Sequence, residues 1–164
     1  MRRLMPRRAA VRGLTLIELL VSVAVLAVLA SAAAPFMGDM IANSRLREGG
    51  HSLLAETLMA QSEAVKRNGT VRVSLNGSTV QVIDLTVPAA PVVLRTRTLV
   101  QTVSAPVVTF DFGPEGRPTP FGTAVSVNLG STSATCTSEL RCPGLRVDAG
   151  GGVRLCGNHL ESCT

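Results

Sequence analysis

Glu18 is the residue that most restricts this chain. It lies inside a run of 21 otherwise uncharged, mostly apolar residues, Leu14 to Ala34. About 20 such residues, at roughly 1.5 Å each, span the hydrocarbon of a bilayer. A carboxylate at the centre of that span costs about 2.5–3.5 kcal/mol. A segment needed only for insertion is better served by leucine at that place, so Glu18 calls for a partner. Ahead of the run stand Arg2, Arg3, Arg7, Arg8 and Arg12. Their charge holds the N-terminus on the cytoplasmic side and sends the rest of the chain outward.

Two ordinary explanations fit less well. A secretory signal peptide also begins basic and turns apolar, and Ala30-Ser31-Ala32 has the small residues of a cleavage site. Its apolar region usually runs to about 7–15 residues, however, and a disposable peptide has no use for an acid in the middle. A plain transmembrane anchor matches the length but again leaves Glu18 unexplained. The segment Arg12-Gly13-Leu14-Thr15-Leu16-Ile17-Glu18 resembles the processing site of class III signal peptides, carried by type IV pilins and the pseudopilins of type II secretion. The resemblance implies that a prepilin peptidase cuts between Gly13 and Leu14 and methylates the new N-terminus at Leu14. It also implies that Glu18 faces the free amine of a neighbouring subunit inside a filament. The expected organisation is a leader at 1–13, a transmembrane and filament-core helix at 14–34, the rest of that helix at 35–67 and a periplasmic β-sheet domain at 68–164.

The formal charge of +5 invites a nucleic-acid or anionic-membrane reading. Removal of the five leader arginines leaves 11 of the 16 basic residues against 11 acidic ones, and the invitation largely lapses. Trp and Tyr are absent and Phe occurs four times, so the core must be aliphatic. Cys136, Cys142, Cys156 and Cys163 cluster near the C-terminus, and in an oxidising compartment they read as two disulfides. Three pairings are open. The local ones, Cys136 with Cys142 and Cys156 with Cys163, are favoured because each staples a short loop. A metal site is not expected: there is no Cys-x-x-Cys, and His159 is the only histidine nearby.

Helix-forming sequence continues past Pro35 to Asn68-Gly69, with apolar residues at 37, 41, 54, 58 and 65 giving a stripe expected to pack in the core. Pro35 and Gly49-Gly50 are places where this helix is expected to bend or loosen. From Thr70 the period becomes two. Val71, Val73 and Leu75 alternate with polar residues, Asn76-Gly77 offers a hairpin turn, and Val80, Val82 and Leu85 follow. Further strands are expected at 92–100, 107–112, 124–129, 145–147 and 153–156, with loops at 88–91 and 113–120. The expected class is α+β, a long N-terminal helix on an antiparallel sheet.

Thr109-Phe110-Asp111-Phe112-Gly113-Pro114-Glu115-Gly116-Arg117, with Leu145–Asp148 and Gly150–Cys156, is similar to the strand-and-loop segment and final hairpin of the GspH/FimT group of minor pilins and pseudopilins. That resemblance implies a filament subunit, assembled with other pilin-like chains after passage through the inner membrane as a single-pass protein. Some FimT-like minor pilins capture DNA through a Gly-Arg-x-Arg pattern in the last hairpin. Here Gly151-Gly152-Val153-Arg154 keeps only the second arginine, with Arg146 and Arg141 as further contacts and a basic middle of Lys66, Arg67, Arg72, Arg95 and Arg97. DNA uptake is therefore the alternative, with Arg146 and Arg154 as its candidate contacts. No catalytic constellation or cofactor site is expected. His51 and His159 have no sequence partners and are expected to be solvent-exposed, and Gly150–Gly152 lacks the Lys-Ser/Thr of a phosphate loop.

Overall fold

The computed structural model describes residues 15–161 and residue 163. They form one helix, α1 (Leu16–Arg67), and nine strands: β1 (Val71–Gly77), β2 (Thr79–Asp84), β3 (Val92–Thr98), β4 (Val103–Phe112), β5 (Pro118–Thr119), β6 (Val125–Asn128), β7 (Gly130–Ser131), β8 (Gly144–Val147) and β9 (Val153–Cys156). The chain divides into two compact units, Met1–Met37 and Gly38–Thr164. The expected cut between Gly13 and Leu14 lies outside the described residues.

In the second unit the strands pair antiparallel throughout. One sheet runs β3-β2-β1-β4-β5, with β7 joined to the far end of β4, and a smaller sheet runs β6-β8-β9. This is the α+β architecture expected, divided over two sheets. Alternation is strict where one face is covered: Val71, Val73 and Leu75 of β1 and Val80 and Val82 of β2 are buried while their neighbours are not. Phe110 and Phe112 complete that face as an edge-to-face pair with centroids 5.8 Å apart. The β1–β2 turn falls one residue later than Asn76-Gly77 suggests. Asn76 still pairs with Thr79, so the two loop residues are Gly77 and Ser78, and Gly77 takes the positive φ of 60° that the first loop position needs. Two short ladders, β5 within the expected loop 113–120 and β7, were not foreseen.

The helix packs differently from the expected stripe. Met37, Ile41, Leu58 and Val65 are exposed. The buried face carries Leu46, Gly49, Gly50, Leu53, Glu56, Thr57, Ala60 and Ala64 instead, a helical repeat made mostly of small residues. Small residues let the sheet approach. A Cβ at Gly49 would sit 2.9 Å from Val103 Cγ2, and one at Gly50 would sit 2.9 Å from Pro143 Cγ. The glycine pair is thus a place of close packing, and the helix runs through it unbroken.

Ion pairs fasten the layers. Glu56, 2% exposed, meets Arg95 at 3.1 Å and Arg97 at 3.8 Å from β3, through Oε1 alone. Arg72 holds Asp111 with two bonds across β1 and β4. Lys66 and Arg67 hold Glu63, and Arg67 also reaches Asp84. The basic middle, which the sequence shows opposed only by Asp84, is in the fold opposed by Glu56, Glu63 and Asp111 as well: each of its five residues has an acidic partner.

Candidate assembly site

Among the described residues no single helix is long and apolar enough to cross a membrane. Leu16–Ala32 and Met37–Arg67 taken together pass on length and composition. The first of these segments is apolar on every side. Leu16, Ile17, Leu19, Leu20, Val21 and Val23 are all exposed, and so are the large residues through Leu29. A helix greasy all round has to be covered by lipid or by other helices.

Thr15 begins it. The Glu18 amide donates to Thr15 Oγ1 at 3.3 Å, and the Leu19 amide donates to Thr15 O at 3.1 Å. Thr15 is the N-cap and Glu18 the third helical residue, the spacing of a capping box. That Thr-x-x-Glu signature was legible in the sequence, but the pull of Glu18 on a neighbour obscured it. Glu18 also lies in the first turn, where the helix dipole favours an anion by about 0.3–1 kcal/mol. That gain is smaller than the roughly 2.5–3.5 kcal/mol a carboxylate costs at the bilayer centre, so an ionised Glu18 carried deep into hydrocarbon would still need a partner. Ser22 and Ser31 return their hydroxyls to the backbone at Glu18 O (2.7 Å) and Val28 O (2.8 Å), so neither competes for the carboxylate.

At the other end of the chain the structure closes Cys136–Cys142 and Cys156–Cys163, with Cα separations of 5.7 and 5.4 Å. Arg146 and Arg154 stand directly opposite one another in the β8–β9 register. Arg146 turns back, its Nη1 donating to Leu145 O at 3.0 Å, while Arg154 is exposed. The three glycines 150–152 turn this hairpin: Asp148 Oδ1 accepts from the amides of Gly150 (2.9 Å) and Gly152 (2.8 Å), and Gly151 takes φ 92°. Gln61, not singled out from sequence, joins this turn to the β4–β5 tip. Its Nε2 donates to Gly151 O and Gly116 O, both at 2.7 Å. His51 is exposed as expected, but His159 is partly buried and its backbone amide donates to Cys142 O at 2.7 Å. Among the described residues no group of His, Cys, Asp or Glu is placed to hold a metal ion.

This sequence of parts, a capped greasy helix with one acid in its first turn followed along the chain by a sheet domain, is matched by known families. The prokaryotic N-terminal methylation motif matches residues 8–34, and the family described as type II transport protein GspH matches residues 50–156. The chain belongs to that GspH family and is a minor pilin or pseudopilin, a structural subunit and not an enzyme. Among solved structures, the type IV minor pilin FimU of Pseudomonas aeruginosa matches in two crystal forms. The first has a TM-score of 0.56 at 20% identity, covering 72% of this chain and 99% of that one; the second has 0.57 at 19%, covering 74% and 96%. The minor pseudopilin EpsH from the type 2 secretion system of Vibrio cholerae has a TM-score of 0.53 at 12% identity, covering 66% and 93%. These likenesses show the fold. A search of curated protein sequences finds no significant match.

Proposed function

We propose that the chain enters the inner membrane as a single-pass precursor, is cut by a prepilin peptidase between Gly13 and Leu14, is methylated on Leu14, and joins a type IV filament through its N-terminal helix. The observation that carries this is the exposed aliphatic stretch Leu16–Leu29 with a single carboxylate in its first turn. Cleavage gives Leu14 an α-amine, and Thr15 then stands second as a ready cap. A carboxylate one turn in can receive the amine of the adjacent subunit. In low dielectric such a pair offsets its two desolvation costs only with good geometry, so its main contribution is axial register.

The test uses the full-length chain in its host. Glu18→Ala should remain in the membrane fraction yet disappear from sheared filaments. Incorporation of that variant at the parental level overturns the pairing. Gly13→Leu should block maturation, leaving an unshifted band near 17.1 kDa.

DNA capture is the second reading, supported by the direct opposition of Arg146 and Arg154. Like charges facing each other across a ladder are unfavourable, and a phosphate between them would relieve the repulsion. The pairing of Arg72, Arg95 and Arg97 with acids leaves few other contacts. A gel shift of the unit Gly38–Thr164 at two salt concentrations tests it, and no shift at low salt removes it.

A further inference from the structure

β3 is the least buried strand of the domain. Only Leu94 of Val92–Thr98 is partly covered, and Val92 and Val93 are 56% and 52% exposed. The strand ends the larger sheet, with β2 on one side. Among the described residues no backbone hydrogen bond of 92–98 leaves the β2 ladder. About half of the N–H and C=O groups of β3 therefore point away from the sheet without a protein partner.

The charge of this strand is also incompletely answered. Arg95 and Arg97 stand opposite Val82 and Val80, the buried valines of β2, so both guanidiniums lie on the face toward α1. There they share one oxygen, Glu56 Oε1, at 3.1 and 3.8 Å, while Glu56 Oε2 holds neither. Both side chains stay nearly half exposed, at 49% and 45%. Two cations on one carboxylate leave a positive charge in excess beside an open strand edge. Asp84, across from Val92, does not answer it, because Arg67 and Thr86 occupy both its oxygens.

An unpaired edge accepts an extended segment through main-chain bonds, and side chains at alternate positions decide which segment fits. A second copy of β3 would bring arginine toward arginine, and like charges across a ladder repel. Leu94 has no partner in the β2 register, a bulge that leaves Arg95–Thr98 as a regular stretch opposite 79–82. Bulges and charges guard an edge against indiscriminate pairing. An acid-bearing segment is what these guards admit.

We propose that the outer edge of β3 binds an extended strand of a different protein chain, with Glu or Asp at alternate positions beside Arg95 and Arg97 and small polar residues beside Thr96 and Thr98. The added strand pairs its backbone with β3, and its acids supply the second carboxylate that the arginines lack. The contact stands apart from the filament reading and holds whether or not the chain enters a filament.

The test follows backbone amide exchange by mass spectrometry on the full-length chain in detergent micelles, with an acetylated heptapeptide of alternating glutamate and threonine as the probe. At millimolar peptide, exchange over residues 92–98 should slow at least about fivefold while β1 and β4 stay unchanged. The same peptide with lysine for glutamate, or with every backbone nitrogen methylated, should slow it less than about twofold. Glu56→Leu frees both arginines and should give at least the parental protection with the glutamate peptide. In that background Arg95→Glu with Arg97→Glu should invert the preference, so that the lysine peptide protects and the glutamate peptide does not. The inversion also shows that the strand is still folded. Indifference of β3 to the glutamate peptide, equal protection by the lysine or methylated peptide, or no inversion overturns the contact. Protection that grows with protein concentration in the absence of peptide marks a second copy as the occupant and overturns it equally.

Discussion

The buried carboxylate Glu56 sets up an unusual order of variant stabilities. Its Oε2 is buried with no hydrogen-bond partner, and its Oε1 depends on two arginines that are themselves half exposed. At an effective dielectric of about 20, a unit pair at 3–4 Å is worth about 4–5 kcal/mol, and stripping a carboxylate of water costs several kcal/mol. The two nearly cancel, so the triad adds little net stability. Removing one side does not cancel. Arg95→Ala with Arg97→Ala leaves a buried anion without compensation and should cost about 2–4 kcal/mol, the lower part of the range because solvent reaches the arginines. Glu56→Leu removes the anion, keeps the volume and should change stability by less than about 1 kcal/mol in either direction. In the Glu56→Leu background the two arginine changes should then cost under about 0.5 kcal/mol.

Urea unfolding of the unit Gly38–Thr164, with all variants sharing one m-value, measures each corner of this cycle. The reasoning fails if the arginine changes cost as much with leucine at 56 as with glutamate. It also fails if Glu56→Leu alone is as damaging as loss of both arginines, because then Glu56 holds β3 in a way its geometry does not account for.

Other perturbations have outcomes set by single contacts. Gly50→Ala gains about 1 kcal/mol of helix propensity but drives a methyl against the stiff Pro143 ring, an overpacking cost of about 1–3 kcal/mol, so urea unfolding should show a net loss of about 1 kcal/mol. Replacing Cys136 and Cys142 by Ser opens a short loop and should cost about 2 kcal/mol in the same assay. The Arg67 bond, then that of Lys66, holds the Glu63 carboxyl below its ordinary 4.5, and the Thr86 hydroxyl and amide, then Arg67, hold Asp84 below its ordinary 3.8. Both folded values are depressed, so their contribution is complete above the ordinary values and is lost as pH falls through the depressed ones. Thermal midpoints should be flat from neutrality to about pH 5 and fall below it, and Glu63→Gln with Asp84→Asn should flatten that acid limb.

Alternation made β1 and β2 legible, because one-sided burial writes a period of two directly into Val71, Val73, Leu75, Val80 and Val82. The helix face was misjudged for the opposite reason. Large apolar residues draw attention, but where a sheet must come close the buried residues are Gly49, Gly50, Ala60 and Ala64, which carry little hydropathy. β5 could not be read because Pro118 and Thr119 form a two-residue ladder defined wholly by Asp111 and Phe112 across the turn. The basic middle looked free because charge partners are set by topology. Arg72 and Asp111 are 39 residues apart, and Arg95 meets a glutamate on the helix.

That pairing bears on how the subunit can work. A domain that has neutralised Lys66, Arg67, Arg72, Arg95 and Arg97 against its own acids presents no broad field to attract a distant partner, and its surface charge can act only at short range. Long-range recruitment is then left to confinement in the membrane, which raises the concentration of neighbouring helices without any need for charge. Once copies lie side by side, the aliphatic helix gives packing without preference for height. Every axial offset buries similar residues, so some polar feature must choose among them. In the proposed assembly Glu18, in the first turn of α1, would supply that choice.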